Sequence, residues 1–243
     1  MKKILGLGNA LVDALIQIDN DDIFKELHLY KEGMTLIEES THKKIANRLK
    51  SLSFKRSNGG SAGNALSCIA ALGGDASFVG RIGADENGAF YEAESKQRGV
   101  KFIPLRDPSL PTGVANTFIS DGGLRTFATY LGAAALLEAK HLDAAMPQDV
   151  DYVFIEGYLV QNHELIERAV ELSHQRGAKV CLDLASWNIV ESEHAFFERL
   201  LPNIDIVFAN EDEARAMTGR IGEEAARLLA QTCQIAIVKC GPR

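Results

Sequence analysis

Residues 57–88 constrain the fold more than any other part of the chain, because they join a glycine-dense turn, a helix of small side chains and a short apolar strand. Gly59, Gly60 and Gly63 can adopt backbone angles that other residues avoid, and their missing Cβ atoms let main-chain N–H groups face a bound polar group. Asn64 adds a side-chain donor and acceptor to the same turn. Two interpretations stay open here, a ligand-binding turn or a tightly packed helix of an α/β domain.

The residues after this turn predict a helix that lies flat on a sheet. Small and apolar side chains recur at helical spacing, namely Ala62, Ala65, Leu66, Ile69, Ala70 and Leu72. Gly73 and Gly74 end the pattern. Beyond them, Phe78, Val79 and Ile82 are typical of a buried strand and its exit.

Apolar strand-like runs alternate with helical patterns along much of the chain. The strand candidates are residues 4–7, 78–80, 152–155, 179–182, 206–208 and 235–238. Helical spacing of apolar residues over 165–172 and 195–200 marks two of the helices between them. Continuous hydrophobic strands separated by helices of about 10 to 15 residues predict an α/β fold with a mostly parallel sheet covered on both faces.

Two segments interrupt this alternation. Residues 13–37 and 100–129 show strand-like patterns without the helices that parallel strands need between them. We therefore expect both segments to form a small antiparallel sheet that projects from the main domain.

The composition predicts one enzyme-sized domain. The chain has 243 residues, of which 46% are hydrophobic and 24% are charged, enough for one sizeable core. A net charge of -7 argues against a nucleic-acid-binding surface, and the basic run over 43–56 predicts an amphipathic helix instead. The apolar residues of that helix would be Ile45, Leu49 and Leu52. No apolar stretch approaches the roughly 18 residues of a membrane span, so we expect a cytoplasmic protein without a membrane partner.

The cysteines argue against disulfides and against a zinc site. No two of them form a C-x-x-C pair, and each lies in an apolar segment: Cys68, Cys181, Cys233 and Cys240. We expect buried, reduced thiols.

The first strand candidate ends in G-x-G, which raises a dinucleotide-binding interpretation. The third glycine of G-x-G-x-x-G would fall at position 11, where Leu11 stands, so we reject it. Asp13 is more informative, because open α/β sheets gather ligands at the carboxyl ends of their strands, and a carboxylate there can accept hydrogen bonds from two adjacent hydroxyls. The alternative is a solvated loop aspartate.

The sequence GGSAGNA, followed at this distance by FVGRIGADENG, resembles the N-terminal signature of the ribokinase/PfkB family of sugar and nucleoside kinases. Further segments are most similar to its adenosine-kinase-like branch: GLGNALVD, PTGVANTFISDGGLRT, YLGAA and FANEDEA, in that order. The resemblance extends from Lys3 to Gly241. It implies a ribokinase-like three-layer α/β/α domain over residues 1–243, with a β-sheet lid formed by about 13–37 and 100–129.

The resemblance also implies roles for individual residues. On the acceptor side it implies sugar contacts from Asn9, Asp13, Gly59, Gly60 and Asn64. On the donor side it implies that Asn210 and Glu213 organise ATP phosphates and magnesium-bound water, with Glu213 reaching Mg²⁺ through that water. The alternative for this pair is an ordinary helix cap. Gly241 is expected to offer a backbone contact to ATP.

Arg125 and Asp183 each have two interpretations. A guanidinium near the transferred phosphoryl group can stabilise charge on its non-bridging oxygens, and the resemblance implies this catalytic role for Arg125. A lone exposed arginine is otherwise simple surface charge. Asp183 ends a strand, where it either faces the nucleotide or caps the next segment.

The implied activity is transfer of phosphate from MgATP to the primary hydroxyl of a ribose-like sugar or nucleoside. Met34, Leu36 and either Tyr158 or Leu159 are candidate apolar walls for a base, and they favour a nucleoside over a free sugar. One alternative is a non-catalytic sugar- or nucleoside-binding pseudokinase. Another is a homodimer formed through the lid with a structural role.

A part of the family sequence that this chain lacks bears on whether the chain is active. Family members continue with a glycine-rich GAGD segment that carries the catalytic aspartate, and no such motif occurs in these 243 residues. We expect the C-terminal part of the fold to be absent from this chain and the 243 residues alone to be inactive.

Overall fold

The computed structural model describes residues 1–31, 33–49 and 54–241. Its strands are β1 (Lys3–Leu7), β2 (Leu11–Gln17), β3 (Met34–Leu36), β4 (Phe54–Asn58), β5 (Asp75–Gly83), β6 (Lys101–Asp107), β7 (Thr112–Ile119), β8 (Arg125–Gly132), β9 (Tyr152–Ile155), β10 (Lys179–Asp183), β11 (Ile206–Asn210) and β12 (Ile235–Lys239). Its helices are α1 (Asp22–Glu26), α2 (Glu39–Leu49), α3 (Ser61–Ala71), α4 (Glu86–Gln97), α5 (Leu142–Ala145), α6 (His163–Gln175), α7 (Trp187–Ser192), α8 (His194–Leu200), α9 (Glu211–Thr218) and α10 (Gly222–Leu229).

Seven strands form one sheet in which every neighbouring pair is parallel. The order across the sheet is β12, β11, β10, β9, β1, β5, β6. The order reverses between β1 and β9, since β5 lies beyond β1 on one side and β10 lies beyond β9 on the other. In open parallel sheets such a switch point opens a crevice at the carboxyl ends of the two strands.

Helices cover both faces of this sheet. Leu5 and Val79 belong to a large buried cluster that includes Leu165 of α6. Phe78, which neighbours Val79 on β5 and so points to the other face, packs in a second cluster with Leu66 of α3. The predicted three-layer α/β/α fold with a mostly parallel central sheet is therefore confirmed, and the six predicted strands lie within or coincide with observed ones.

Five strands form a second, smaller sheet in the order β3, β8, β7, β2, β4. The β7–β8 and β2–β4 pairs are antiparallel, whereas the β2–β7 and β3–β8 pairs are parallel. Helices α1 and α2 bury one face of this sheet, against residues that include Ala14, Ile16 and Phe118. Because side chains alternate along a strand, Asp13 of β2 lies on the opposite face.

Two predictions about the smaller sheet were wrong. The sheet is mixed, not antiparallel, and residues 101–107 form β6 at the edge of the large sheet, parallel to β5. The helix that this parallel pairing requires is α4, whose buried residues are Gly88, Tyr91 and Ser95. A helix with so polar a buried side lacks the apolar periodicity by which helices are recognised in a sequence.

The basic run over 43–56 is helical only in its first half. Ile45 and Leu49 are buried on α2, as predicted. Lys55 and Arg56 lie on β4 instead, where pairing with β2 overrides the expected helix. Leu52 lies outside the described residues.

The cysteines are free, and their burial differs from one to the next. Cys181 and Cys233 are buried, as predicted, and Cys240 is partly exposed. Cys68 is exposed, contrary to the prediction, because it lies two residues after buried Leu66 and so on the far side of α3. Within the described ranges, none of the helices combines the length and the apolar character that a membrane crossing requires.

Candidate functional site

Polar side chains collect at the carboxyl edge of the parallel sheet. Asn9 follows β1 and Glu156 follows β9, the two strands between which the strand order reverses. Asp183 ends β10 and Asn210 ends β11. Because these strands are parallel, their ends lie along one edge, which is where open α/β sheets bind ligands.

Two glycines bring the backbone close to polar groups at this edge. A Cβ on Gly59 would lie 2.1 Å from Oδ1 of Asp13, and a Cβ on Gly60 would lie 2.2 Å from the main-chain oxygen of Asn9. Gly60 also has a φ of 84°, a conformation that L side chains rarely adopt. Only glycine allows this approach, so Asn9, Asp13, Gly59 and Gly60 meet at one place in the structure.

The Asp13 carboxyl group lies in a partly desolvated position. Burial raises the pKa of Asp13 to about 6, while the guanidinium groups of Arg98 and Arg125 act in the opposite direction. With that pKa the group is ionised at neutral pH. A partly buried carboxylate can replace its lost water with hydrogen bonds from two hydroxyl groups of a ligand.

Glu156 anchors this part of the site, and sequence reasoning missed it. The side chain is 2% exposed, accepts a hydrogen bond from Nδ2 of Asn9 at 2.9 Å, and accepts another from the N–H of Ala62 at 3.1 Å. A Cβ on Gly8 would lie 2.6 Å from its Oε2. Burial raises the pKa of Glu156. The available signal was its place directly after the apolar strand β9, the same signal that singled out Asn210 after β11.

Asn64 lies in the first turn of α3 with its side chain exposed. Its main-chain N–H donates to the main-chain oxygen of Gly60 at 3.0 Å, so the glycine turn leads directly into the helix. The structure thus places Asn64 one helical turn from Gly60 and does not bring its side chain together with the other acceptor-side residues.

Asn210 and Glu213 form a reciprocal cap at the start of α9. The N–H of Glu213 donates to Oδ1 of Asn210 at 2.9 Å, while the N–H and Nδ2 of Asn210 each donate to a Glu213 oxygen at 2.7 Å. Glu213 is 3% exposed, and burial raises its pKa, with a further increase from Asp183 and a decrease from Lys239. The structure therefore confirms the helix-cap interpretation. Any functional role of Asn210 and Glu213 would have to coexist with this cap.

The same geometry limits how a metal ion could be held. In the described part of the chain, no group of three or more His, Cys, Asp or Glu side chains is arranged to hold a metal ion. Both Glu213 oxygens already accept hydrogen bonds, so direct coordination is a poor fit. A magnesium ion that keeps most of its waters and takes its other ligands from phosphates does fit, with Glu213 in contact through water.

Asp183 and Lys239 form a pair beside this cap. Oδ1 of Asp183 accepts the N–H of Ala185 at 2.9 Å, and Nζ of Lys239 lies 3.4 Å from Oδ2. Ala185 has a φ of 67°, unusual for a residue with a Cβ. Asp183 thus caps the turn after β10. Gly241, exposed at the end of the described residues, has a φ of 64° and open space around its Cα.

Arg125 is exposed at the start of β8 and pairs in register with Ile119 of β7. Its charge lowers the pKa of Asp13, which relates it electrostatically to the acceptor-side group. Among the described residues no hydrogen bond or ion pair joins Arg125 to Asn210 or Glu213, so its role toward a phosphoryl group remains a prediction.

Comparisons with known proteins show which proteins the chain as a whole is similar to. The chain is 26% identical over 224 residues to adenosine kinase 2 of Arabidopsis thaliana, covering 88% of the chain and 64% of that enzyme. It is 29% identical over 238 residues to adenosine kinase of Schizophyllum commune, covering 94% of the chain and 68% of that enzyme. The chain therefore spans about two thirds of the length of these curated relatives.

Two solved structures with the same fold are 28% and 29% identical to this chain. A probable sugar kinase from Rhizobium etli CFN 42 superposes with a TM-score of 0.87 at 29% identity, covering 98% of this chain and 73% of that one. Adenosine kinase from Sinorhizobium meliloti superposes with a TM-score of 0.85 at 28% identity, covering 99% and 75%. The profile described as "pfkB family carbohydrate kinase" matches residues 32–243, which include the glycine turn and the Asn210–Glu213 cap. The chain belongs to the pfkB family of carbohydrate kinases, in its adenosine-kinase-like branch.

Proposed function

We propose that the protein is an ATP-dependent kinase for the primary hydroxyl of a ribose-containing sugar or nucleoside. The observation that carries this proposal is the contact between Asp13 and Gly59, where a carboxylate lies against a backbone without a Cβ. Such a site offers two adjacent hydroxyls an ionised acceptor, and it lets a sugar ring lie against main-chain groups. Similarity to adenosine kinases and to a probable sugar kinase supports the same chemistry.

The smaller sheet supplies a lid over this site in the proposed function. Its strands run in register through Leu36, Thr129, Ala115 and Asp13, so these side chains share one face. Met34 lies on that face too and, like Leu36, is exposed, at 37% and 47%. Exposed apolar side chains beside a hydroxyl-binding carboxylate suit a nucleobase, so a nucleoside is the favoured acceptor.

The donor end of the site is proposed at Asn210, Glu213 and Gly241. Asn210 lies at the N-terminus of α9, where main-chain N–H groups favour anions, and Gly241 offers an open backbone. Glu213 keeps Asn210 in place and orients magnesium-bound water. MgATP, when bound, supplies the phosphoryl group and neutralises part of its charge.

The transfer joins the acceptor oxygen to the γ-phosphorus while the bond from that phosphorus to ADP breaks and the hydroxyl proton leaves. Asp13, Gly59 and Gly60 hold the sugar so that its primary hydroxyl faces the donor. Arg125 stabilises charge on the non-bridging oxygens of the transferred group. By resemblance, the proton acceptor is the aspartate of a GAGD segment, which these 243 residues do not contain.

Replacement of Asp13 tests the acceptor site. We expect Asp13→Ala to weaken binding of a ribose-containing ligand by about 1.5 to 3 kcal/mol, because charge-assisted hydrogen bonds are lost. Calorimetric titration of the full-length protein with adenosine, ribose and fructose measures this. Equal affinity of wild type and variant for every ligand would remove Asp13 from the site and contradict the proposal.

The raised pKa of Asp13 adds a pH dependence with a definite sign. The pKa of Asp13, about 6, lies above its ordinary value of 3.8, so the folded protein favours the neutral acid. Ionisation of Asp13 therefore lowers the free energy of unfolding as the pH rises through this range. Acceptor binding needs the carboxylate, so wild-type affinity should increase between pH 5 and pH 7. Asp13→Asn should lose that increase while raising the free energy of unfolding at pH 7 by about 1 to 2 kcal/mol, after allowance for solvent screening.

A second variant tests the donor side. We expect Glu213→Gln to raise the magnesium needed for half-maximal rate by roughly tenfold, with acceptor affinity little changed. Asp212→Asn is the matched control, because Asp212 lies on the same helix but is exposed and paired with Arg215. Should Glu213→Gln and Asp212→Asn show the same magnesium dependence as wild type, Asn210 and Glu213 would be a helix cap only.

A further inference from the structure

Helix α4 holds the turn that carries Gly59 through hydrogen bonds to the preceding residue, Asn58. Asn58, the last residue of β4, donates its main-chain N–H to Oε2 of Glu94 at 2.6 Å. Its side-chain amide donates to the main-chain oxygen of Tyr91 at 2.9 Å and to Oγ of Ser95 at 2.8 Å. Asn58, Tyr91 and Ser95 are each at most 5% exposed. These bonds therefore form away from bulk water, where the loss of a partner is costly.

Tyr91 also contacts the glycine directly. Its hydroxyl donates to the main-chain oxygen of Gly59 at 3.3 Å, while the N–H of Gly59 donates to the main-chain oxygen of Leu11 at 2.8 Å. Both polar backbone groups of Gly59 are thus held. A Cβ on Gly63 would lie 2.6 Å from the same hydroxyl, so the first turn of α3 packs against Tyr91 as well.

An ion pair extends this network from Glu94 to Arg98, four residues further along the chain. Oε1 of Glu94 accepts hydrogen bonds from Nε and Nη2 of Arg98 at 3.1 and 2.5 Å, and the two side chains are 18% and 31% exposed. The Arg98 charge favours the ionised form of Asp13, whereas Glu94 opposes it. Arg125, from β8, is the other charged group that acts on Asp13.

We propose that Glu94 and Arg98 are positioning residues for the acceptor site: Glu94 places Gly59 through Asn58, and Arg98 holds the Glu94 carboxylate through two hydrogen bonds. This inference rests on the proposed function, because it gives α4 a part in acceptor binding. Polar groups of Tyr91, Glu94 and Ser95 all bond to Asn58, and Tyr91 reaches Gly59 as well. Tyr91 also packs in the apolar cluster with Phe78 and Phe102, so these polar bonds are additional to its core contacts.

Variants at the Glu94–Arg98 pair test the positioning role in the full-length protein. Calorimetry should show roughly tenfold weaker adenosine binding by Glu94→Ala. Glu94→Gln should bind more tightly than Glu94→Ala but less tightly than wild type, because its single amide oxygen can accept the Asn58 N–H and not the Arg98 donors as well. Glu223→Ala is the matched control, since it removes an i,i+4 pair of the same kind, with Arg227 on α10, and should leave affinity unchanged.

A second measurement requires no ligand. In unliganded Arg98→Gln, the Asp13 carboxyl carbon followed by NMR should titrate at higher pH than in wild type, and adenosine binding should fall more at pH 6 than at pH 8. A merely structural role would lower the unfolding temperature without moving this titration.

The two measurements separate the possible failures. Wild-type adenosine affinity in Glu94→Ala, together with an unmoved Asp13 titration in Arg98→Gln, would overturn the inference. If wild type binds no adenosine, ribose or fructose, the proposed function fails. The Asp13 titration then decides by itself whether the Glu94–Arg98 pair acts on the acceptor site: a shift supports the inference, and an unmoved titration overturns it.

Discussion

A protein carrying Gly59→Ala is expected to bind no ribose-containing acceptor at concentrations that saturate the wild type. The new methyl carbon would lie 2.1 Å from Oδ1 and 2.4 Å from Cγ of Asp13, so the carboxylate and the backbone could not keep their present places. Displacement of a binding group by about 1 Å can cost about a hundredfold. Calorimetric titration with adenosine measures the loss without requiring turnover.

Gly73→Ala is the matched control for this experiment. Gly73 has a φ of 86°, and a Cβ there would meet no atom within 4 Å, so the change strains the backbone without intruding on a neighbour. Some stability should be lost and acceptor affinity kept. Wild-type affinity in Gly59→Ala would mean that acceptors bind somewhere other than the contact between Asp13 and Gly59.

A protein made of these 243 residues alone is expected to convert no ATP to ADP with any acceptor, whereas a protein in which a GAGD-containing segment follows them should do so only when a ribose-like acceptor is present. By resemblance, proton acceptance and stabilisation of the developing anion belong to a GAGD segment that this sequence lacks. Lid closure over the acceptor would complete the site and so make turnover depend on it. Coupled ADP release by both proteins, against a panel of nucleosides and sugars, tests this.

Light scattering recorded in parallel tests the exposed edge of the large sheet. In the described residues β12 is the outermost strand on its side, and its Ile235 and Ile237 are 48% and 39% exposed. An apolar edge strand promotes association, so the 243-residue protein should scatter more light than the protein that carries the GAGD-containing segment. Acceptor-dependent turnover by the 243-residue protein would refute the assignment of roles, because the base and the anion site would then come from residues with other proposed functions.

Most of the parallel sheet could be predicted because six of its seven strands contain a short continuous apolar run. Such a run indicates a strand buried on both faces without any knowledge of its neighbours. Residues 152–155 and 235–238 accordingly match β9 and β12. Helix α4 could not be predicted in this way, since its buried residues, Gly88, Tyr91 and Ser95, do not form an apolar repeat at helical spacing. Without α4, strand β6 had no crossover and was assigned to the wrong sheet.

The residues of the candidate acceptor site also fall into two groups: those that the sequence could identify and those that only the structure revealed. Asp13, Gly59 and Gly60 could be singled out from the sequence alone, because a carboxylate after a strand and a glycine pair before a helix are local patterns with a local physical meaning. Only the tertiary structure decided that Glu156 anchors Asn9 across 147 positions and the start of α3 across 94. In a sequence, a carboxylate after a strand cannot be told from an exposed acid. The crossover connections of the fold bury Glu156 beside two hydrogen-bond donors. Contacts between residues so far apart in the chain leave no periodic pattern, so the sequence determined which groups could bind a sugar and the fold determined which groups hold them in place.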